Sequence, residues 1–239
     1  MKKSLAFSMA TALMAFSFQA GAASGPMPQG TFTVGAERLM GIFHGALEND
    51  PYPSNNPNAR GDDTGVTLVT LFGNGVATNG GGLGGVDSRA MFVVPRIGFD
   101  YFIIDGLSLG GTLGLWSASV HDSIDPQNDF SATNFLFSPR IGYAYMFGDV
   151  VGIWPRGGLA YTHGSVDPDQ GGNFSNHYFA FEVDVPLIIA PVPNVGFTVG
   201  PLFDVTFGGS QSRELPPPEL SRDSSLVLFG LSAGMVAIF

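Results

Sequence analysis

Residues 224–239 read S-S-L-V-L-F-G-L-S-A-G-M-V-A-I-F, and this stretch decides the fold. Every second position from Val227 to Phe239 is apolar, whereas the alternate row mixes aliphatic residues with small ones such as Ser232 and Gly234. Successive side chains of a β-strand point to opposite faces, so this period of two predicts one long strand. One face of that strand is apolar throughout.

A long strand that ends on phenylalanine resembles the closing strand of bacterial outer-membrane β-barrels. The resemblance implies that Phe239 is an assembly signal for the barrel assembly machinery. It also implies an integral protein of the outer membrane, in contact with outer-membrane lipid and lipopolysaccharide. We expect this protein to be a monomer.

The first residues of the chain predict export. Lys2 and Lys3 precede an apolar run at 5–18, and Ala20-Gly21-Ala22 is a cleavage pattern of the A-x-A type. This arrangement is typical of a secretory signal peptide, and the run is shorter than a membrane-spanning helix requires. We therefore expect a signal peptide at 1–23 and one barrel domain at 24–239.

Composition excludes several classes of protein. Of the 10 basic residues, Lys2 and Lys3 belong to the signal peptide, so eight arginines face 20 acidic residues in the mature chain, a net charge of −12. Such an acidic chain is a poor partner for nucleic acid. Without cysteine, the chain has no disulfides, no thiolate metal site and no cysteine nucleophile. No cofactor and no metal site is predicted.

Strands with the same alternation fill the mature chain. They begin near 30, 90, 107, 134, 151, 177, 195 and 224, and the strand at 91–103 carries Met91, Val93 and Ile97 on its predicted outer row. Short turns near 104–107, 148–151 and 190–194 alternate with longer polar connections at 121–134, 165–177 and 209–224. Short turns on one side and long loops on the other are typical of outer-membrane barrels. The predicted fold is all-β: an eight-stranded antiparallel up-and-down transmembrane β-barrel.

Residues 66–72 also have strand propensity, and their place is open. Counting them as a spanning strand gives an odd number, so we assign them to a long first extracellular loop at about 47–89, as an extension or a plug. A barrel of ten strands is the alternative. Alternation fails at Glu37 and Arg38, where we expect a β-bulge or a salt-bridged pair near the mouth of the barrel.

The positions of the charges favour a membrane barrel over a soluble β-sandwich or lipocalin-like barrel. Charged residues within strands mostly share a row with glycines, whereas the other row carries aromatic and branched aliphatic residues. A soluble sheet shows charges on its outer face. Aromatic residues of the outer rows are suited to interfacial girdles, namely Tyr101, Tyr143, Tyr145 and Tyr161, with Trp154 near a strand start.

The inner row carries a polar set that predicts an ionic network in the lumen. Its members are Arg96, Asp100, Arg140, Arg156, Glu182, Asp184 and Asp204. Charges away from bulk water are costly unless paired, so we expect these side chains to pair with each other. The structural interpretation is a lumen filled by side chains, and the functional alternative is a narrow ion or small-solute channel.

One short motif allows an enzyme. His163 and Ser165 lie two residues apart on the lipid-facing row, which resembles the His-x-Ser arrangement of outer-membrane lipid A deacylases. There a histidine base activates a serine nucleophile. The asparagine that commonly follows that serine is replaced by Val166, and no orienting acid is assigned, although Asp167 and Glu182 are present.

The other histidines predict no site. His44, His121 and His177 lie near predicted loop ends without ligand spacing. The sequence therefore predicts a structural or surface-interacting outer-membrane protein without catalytic activity.

Overall fold

The computed structural model describes residues 24–50, 62–72, 90–120, 130–168, 173–213 and 220–239. The predicted signal peptide at 1–23 lies outside the described residues, as do 51–61 and 73–89 of the predicted first loop. Among the described ranges, no helix has the length and apolarity that a membrane crossing requires.

Thirteen strands and one short helix make up the described chain. The strands are β1 (Gly25–Pro26), β2 (Phe32–Asn49), β3 (Asp62–Leu71), β4 (Arg96–Ile104), β5 (Leu107–Val120), β6 (Phe130–Tyr143), β7 (Tyr145–Met146), β8 (Val151–Ile153), β9 (Arg156–Pro168), β10 (Phe174–Asp184), β11 (Leu187–Val192), β12 (Val195–Arg213) and β13 (Leu220–Ile238). The helix α1 (Ala90–Val93) precedes β4.

Twelve of these strands occupy eight positions in one closed antiparallel wall, and the two-residue β1 pairs with β7. Four positions are each shared by two strands, namely β3 with β4, β6 with β7, β8 with β9 and β10 with β11. Pro155 and Pro186 fall at two of the breaks, because proline has no N–H for the ladder. β13 pairs with β12 on one side and with β2 on the other, which closes the barrel. The predicted eight-stranded barrel is confirmed, and the ten-stranded alternative is wrong.

The open question of residues 66–72 is resolved by the partners of β2. Residues 40–49 of β2 pair with β3, whereas residues 32–37 pair with β4. β3 and β4 thus share one position in the wall beside β2, and α1, which precedes β4, lies inside the barrel. The ladder of β4 with β5 ends at Leu113. Beyond that point the described part of β5 pairs with β6, and its Trp116 packs inward against buried apolar residues.

The strands extend further than their side-chain pattern indicated. β6 begins at residue 130, and β9 and β12 end at residues 168 and 213, all within the predicted long connections. Backbone pairing does not require an apolar face, so the ladder continues where both rows become polar. We call this end of the barrel the long-connection end, and the end with the turns at 105–106, 147–150 and 193–194 the short-turn end.

The exterior of the wall is apolar, as predicted. Large apolar side chains are 40% exposed or more along the strands, including Ile97, Leu109, Phe137, Ile141, Phe181, Val199, Phe203 and Leu231. Tyr101, Tyr143 and Tyr145 are exposed near the short-turn end, where an interfacial girdle is expected. A soluble barrel would bury such residues, so this exterior fits hydrocarbon.

Residues 91–95 are not part of a strand, which corrects the prediction for 91–103. Met91 and Val93 are residues of α1, which lies inside the barrel, and they are 2% and 0% exposed. They belong to an apolar cluster at the long-connection end that includes Phe43, Tyr178 and Leu228. Residues 91–94 are all apolar, so they fit the outer row of a strand and a buried helix equally well, and the sequence pattern did not reveal the helix.

The short-turn end is closed by a second apolar cluster. Trp154 is 1% exposed and packs with Phe102 and Ile188 inside the barrel, so its predicted place in the outer girdle is wrong. The N-terminal segment packs against this cluster, and its Met27 N–H donates to the carbonyl of Ala144 at 3.1 Å. An apolar cluster therefore lies toward each end of the lumen.

Candidate functional site

A bulge in β2 turns two consecutive charged residues into the lumen. The β2–β13 ladder pairs Ala36 with Met235 and Met40 with Ala233, so three residues of β2 face one residue of β13. Arg38 has a φ of 51°, which is uncommon for a residue other than glycine. Glu37 and Arg38 are both buried, and the bulge expected from the failed alternation is present.

Glu37 and Arg140 form the centre of a first ionic group. Arg140 donates from Nη1 to Glu37 Oε2 at 2.8 Å and from Nη2 to Oε1 at 2.7 Å. It also donates to Asp100, from Nε at 3.1 Å and from Nη2 at 2.5 Å. Arg156 donates to Glu37 Oε1 at 2.7 Å and pairs with Asp184. Five charged side chains from five wall positions are thereby connected.

Arg38 belongs to a second ionic group. It donates from Nη1 to Asp204 Oδ2 at 2.7 Å and from Nη2 to Oδ1 at 3.0 Å. Glu182 lies 3.5 Å from Arg38, accepts from Arg96 Nη1 at 2.7 Å and accepts from the Ser138 hydroxyl at 2.5 Å. Each carboxylate of this group therefore has charged donors on it, which is the strong form of hydrogen bond.

The two groups connect the apolar clusters above and below them. Arg38 Nη1 also donates to the carbonyl of Phe92, the third residue of α1, so the second group holds the helix in place. The guanidinium carbon of Arg156 lies 4.7 Å from the ring centroid of Trp154, a cation–π contact at the short-turn end. The charged band therefore spans the middle of the lumen, between the two apolar clusters.

Glycines make room for these long side chains. Gly110 pairs with Asp100 on one side and with Arg140 on the other, so the ion pair of those residues passes directly over it. A Cβ added at Gly98 would lie 2.8 Å from Arg140 Nη2 and 2.5 Å from Glu37 Oε1. The alternation of charge and glycine in the sequence is thus a packing requirement of a narrow barrel.

All seven residues of the predicted network lie inside the lumen and take part in these two groups. The sequence predicted only a bulge or a position near the mouth of the barrel for Glu37 and Arg38. In the structure Glu37 is central to the first ionic group and Arg38 to the second. The sequence did contain a signal for this position, because two consecutive charges in an apolar strand cannot both avoid lipid unless a bulge turns both inward. With them, four guanidinium groups face five carboxylates.

Little space is left around the charged band. Two cavities border it, one beside Arg38 and Asp184 and one beside Asp100 and Trp154, and each encloses about 10 Å³. That volume suits a single water molecule. At the level of the charged band, side chains fill the described part of the lumen.

His163 and Ser165 lie elsewhere, on the outer face of β9. Both are exposed, and in the ladders His163 faces His177 and Phe135, whereas Ser165 faces Ser175 and Thr133. Glu182 is inside the barrel and bound to arginines, so it does not orient His163. His121 lies outside the described residues. Within the described ranges, no three acidic or histidine side chains group as a metal site.

Comparison with known proteins identifies the fold. No protein-family model matches the chain, and no curated protein matches it in sequence. The crystal structure of outer membrane protein OprG from Pseudomonas aeruginosa is similar with a TM-score of 0.52 and 11% identity, over 90% of this chain and 98% of that one. Outer membrane protein AlkL in lipid bilayers gives 0.49 and 13%, over 95% and 97%. Neisserial surface protein A gives 0.41 and 13%, over 87% and 99%. The fold is that of a small integral bacterial outer-membrane β-barrel.

Proposed function

We propose that this protein is a sealed outer-membrane barrel with a structural or surface-interacting role, and that it neither conducts solutes nor catalyses a reaction. The observation that carries the proposal is the charged band, in which four arginines and five carboxylates cross-link the wall strands. A conducting lumen needs water-filled space around its charges. Here the charges bind each other instead.

Barrel size supports the same conclusion. An eight-stranded barrel is just wide enough for side chains to fill, and the cavities beside the band enclose about 10 Å³ each. α1 adds a further layer, since Phe92 is 1% exposed within the lumen. Interaction with other molecules is therefore expected on the outer face, with lipid and lipopolysaccharide, or at the long-connection end.

Planar-bilayer recordings test whether the barrel is sealed. We expect the purified mature barrel to give no steady current, because paired charged side chains cross the described part of the lumen. Arg38→Ala is the matched variant expected to admit current, since it removes the bonds to Asp204 and to the carbonyl of Phe92. Steady current through the unaltered protein, lowered by Arg96→Ala or Arg140→Ala, would instead establish the channel alternative.

A second candidate function, lipid A deacylation, rests on the exposure of His163 and Ser165 on one outer face. We expect no activity, because Glu182 is inside the barrel and paired with Arg96, and because Val166 replaces the asparagine that commonly follows the serine. Mass spectrometry of lipid A from cells producing the parent or Ser165→Ala checks this. Ser175→Ala, on the facing strand, is the control. Fewer acyl chains with the parent and with Ser175→Ala, but not with Ser165→Ala, would contradict the proposal.

A further inference from the structure

Two histidines that are far from ligand spacing in the sequence are direct neighbours on the outer face of the wall. The β9–β10 ladder pairs His163 with His177, and both side chains are exposed. Residues directly opposite each other in an antiparallel pair have Cβ atoms about 4.5–5.5 Å apart. Two imidazole rings at that separation can turn toward one common point above the sheet.

The surroundings leave the His177 ring free to turn. The Ser210 hydroxyl on the next strand lies 3.4 Å from Nδ1 and 3.5 Å from Nε2 of His177, both longer than an ordinary hydrogen bond. Ser210 pairs with His177 in the β10–β12 ladder, so it remains alongside whichever way the ring faces. A hydroxyl in this position suits the second-sphere partner that a metal-bound histidine commonly has.

The pair also lies at a boundary of the outer surface. One step toward the short-turn end, Tyr161 and Phe179 form an aromatic contact with ring centroids 5.0 Å apart. One step toward the long-connection end, the paired residues are Ser165 and Ser175. The histidines therefore stand where the aromatic surface gives way to a polar one, with access to water and to dissolved ions.

We propose that His163 and His177 form a two-histidine site for a divalent transition cation of the Zn²⁺, Ni²⁺ or Cu²⁺ type. Neutral imidazole nitrogen is a preferred ligand of these ions, and water completes the coordination. The bound ion cross-links β9 to β10 on the outside of the barrel. This site is separate from the lumen, so it does not depend on whether the barrel is sealed.

Cu²⁺ binding to the full mature barrel in detergent tests the site, with protein that carries no polyhistidine tag. We expect the unaltered protein to bind the first equivalent of Cu²⁺ with an electron paramagnetic resonance spectrum of two nitrogen ligands. His163→Asn and His177→Asn should each weaken that binding by about tenfold or more, since loss even of a supporting residue costs about that much. The ion should also raise the midpoint of thermal unfolding of the unaltered protein, but not of His163→Asn or His177→Asn, because it binds the folded wall.

His44→Asn is the matched control, since His44 is another wall histidine but contacts Thr67 and Phe229 instead of a second histidine. It should bind Cu²⁺ as the unaltered protein does. Equal affinity in the unaltered protein and His163→Asn overturns the proposal, as does an equal loss in all three variants. Gel migration before and after boiling establishes that each variant is folded.

Discussion

Replacing Arg140 by methionine should lower the free energy of unfolding by about 3–5 kcal/mol, the range for removing one partner of a buried ion pair. Arg140 makes four hydrogen bonds, two to Glu37 and two to Asp100, and its side chain is 6% exposed. Methionine fills similar space, so the loss is mainly electrostatic. Asp100 would then be left buried without its arginine.

Denaturant unfolding from lipid vesicles, followed by tryptophan fluorescence, measures this loss. Trp154 is a local reporter, because the guanidinium carbon of Arg140 lies 5.9 Å from its ring centroid. Arg222→Met is the control: Arg222 is also a wall arginine, it donates to the side-chain oxygen of Gln211 outside the charged band, and we expect a smaller loss of about 1 kcal/mol.

A double variant separates charge from packing. Asp100→Asn in the Arg140→Met background removes the carboxylate that has lost its arginine, so part of the stability should return. If Arg140→Met and Arg222→Met unfold at the same denaturant concentration, the charged band does not stabilise the barrel.

Gly110→Val should prevent most of the protein from reaching the folded barrel. A Cβ at Gly110 would lie 2.7 Å from Asp100 Cα and 2.5 Å from Asp100 Oδ1, and it would also collide with the carbonyl oxygen of Phe99. Two of these atoms are backbone and cannot move aside without breaking the β4–β5 ladder. Overpacking should therefore lower the free energy of unfolding by about 1–3 kcal/mol or more, in addition to the loss of the Asp100–Arg140 pair.

The measurement is gel migration before and after boiling, since the folded barrel and the unfolded chain migrate differently. Gly208→Val is the matched control, because Gly208 is also a strand glycine but has no atom within 4 Å of an added Cβ. It should fold as the parent does. A Gly110→Val protein that still shows the folded band in full would mean that the wall has more room than the structure gives it.

Several features of the fold were predictable from local sequence alone. The apolar residues at every second position of 224–239 predicted a long strand with an apolar outer face. The alternation of short turns with long connections predicted eight strands. These predictions hold because the face of a strand depends only on the parity of each residue, which the sequence shows directly. The mixing of Arg96, Asp100 and Arg140 with glycines likewise placed them inward.

Tertiary structure decided everything that depends on register between strands or on a chain leaving the wall. The alternation of residues between the two faces of a strand does not show which arginine pairs with which carboxylate. It also does not show that Glu37 belongs to the first ionic group and Arg38 to the second. It cannot place His163 beside His177, because residues 14 positions apart become neighbours only through the β9–β10 ladder. Nor does it distinguish Met91 and Val93 on an outer strand from the same residues in a buried helix, since both environments are apolar and only the closed wall defines an inside.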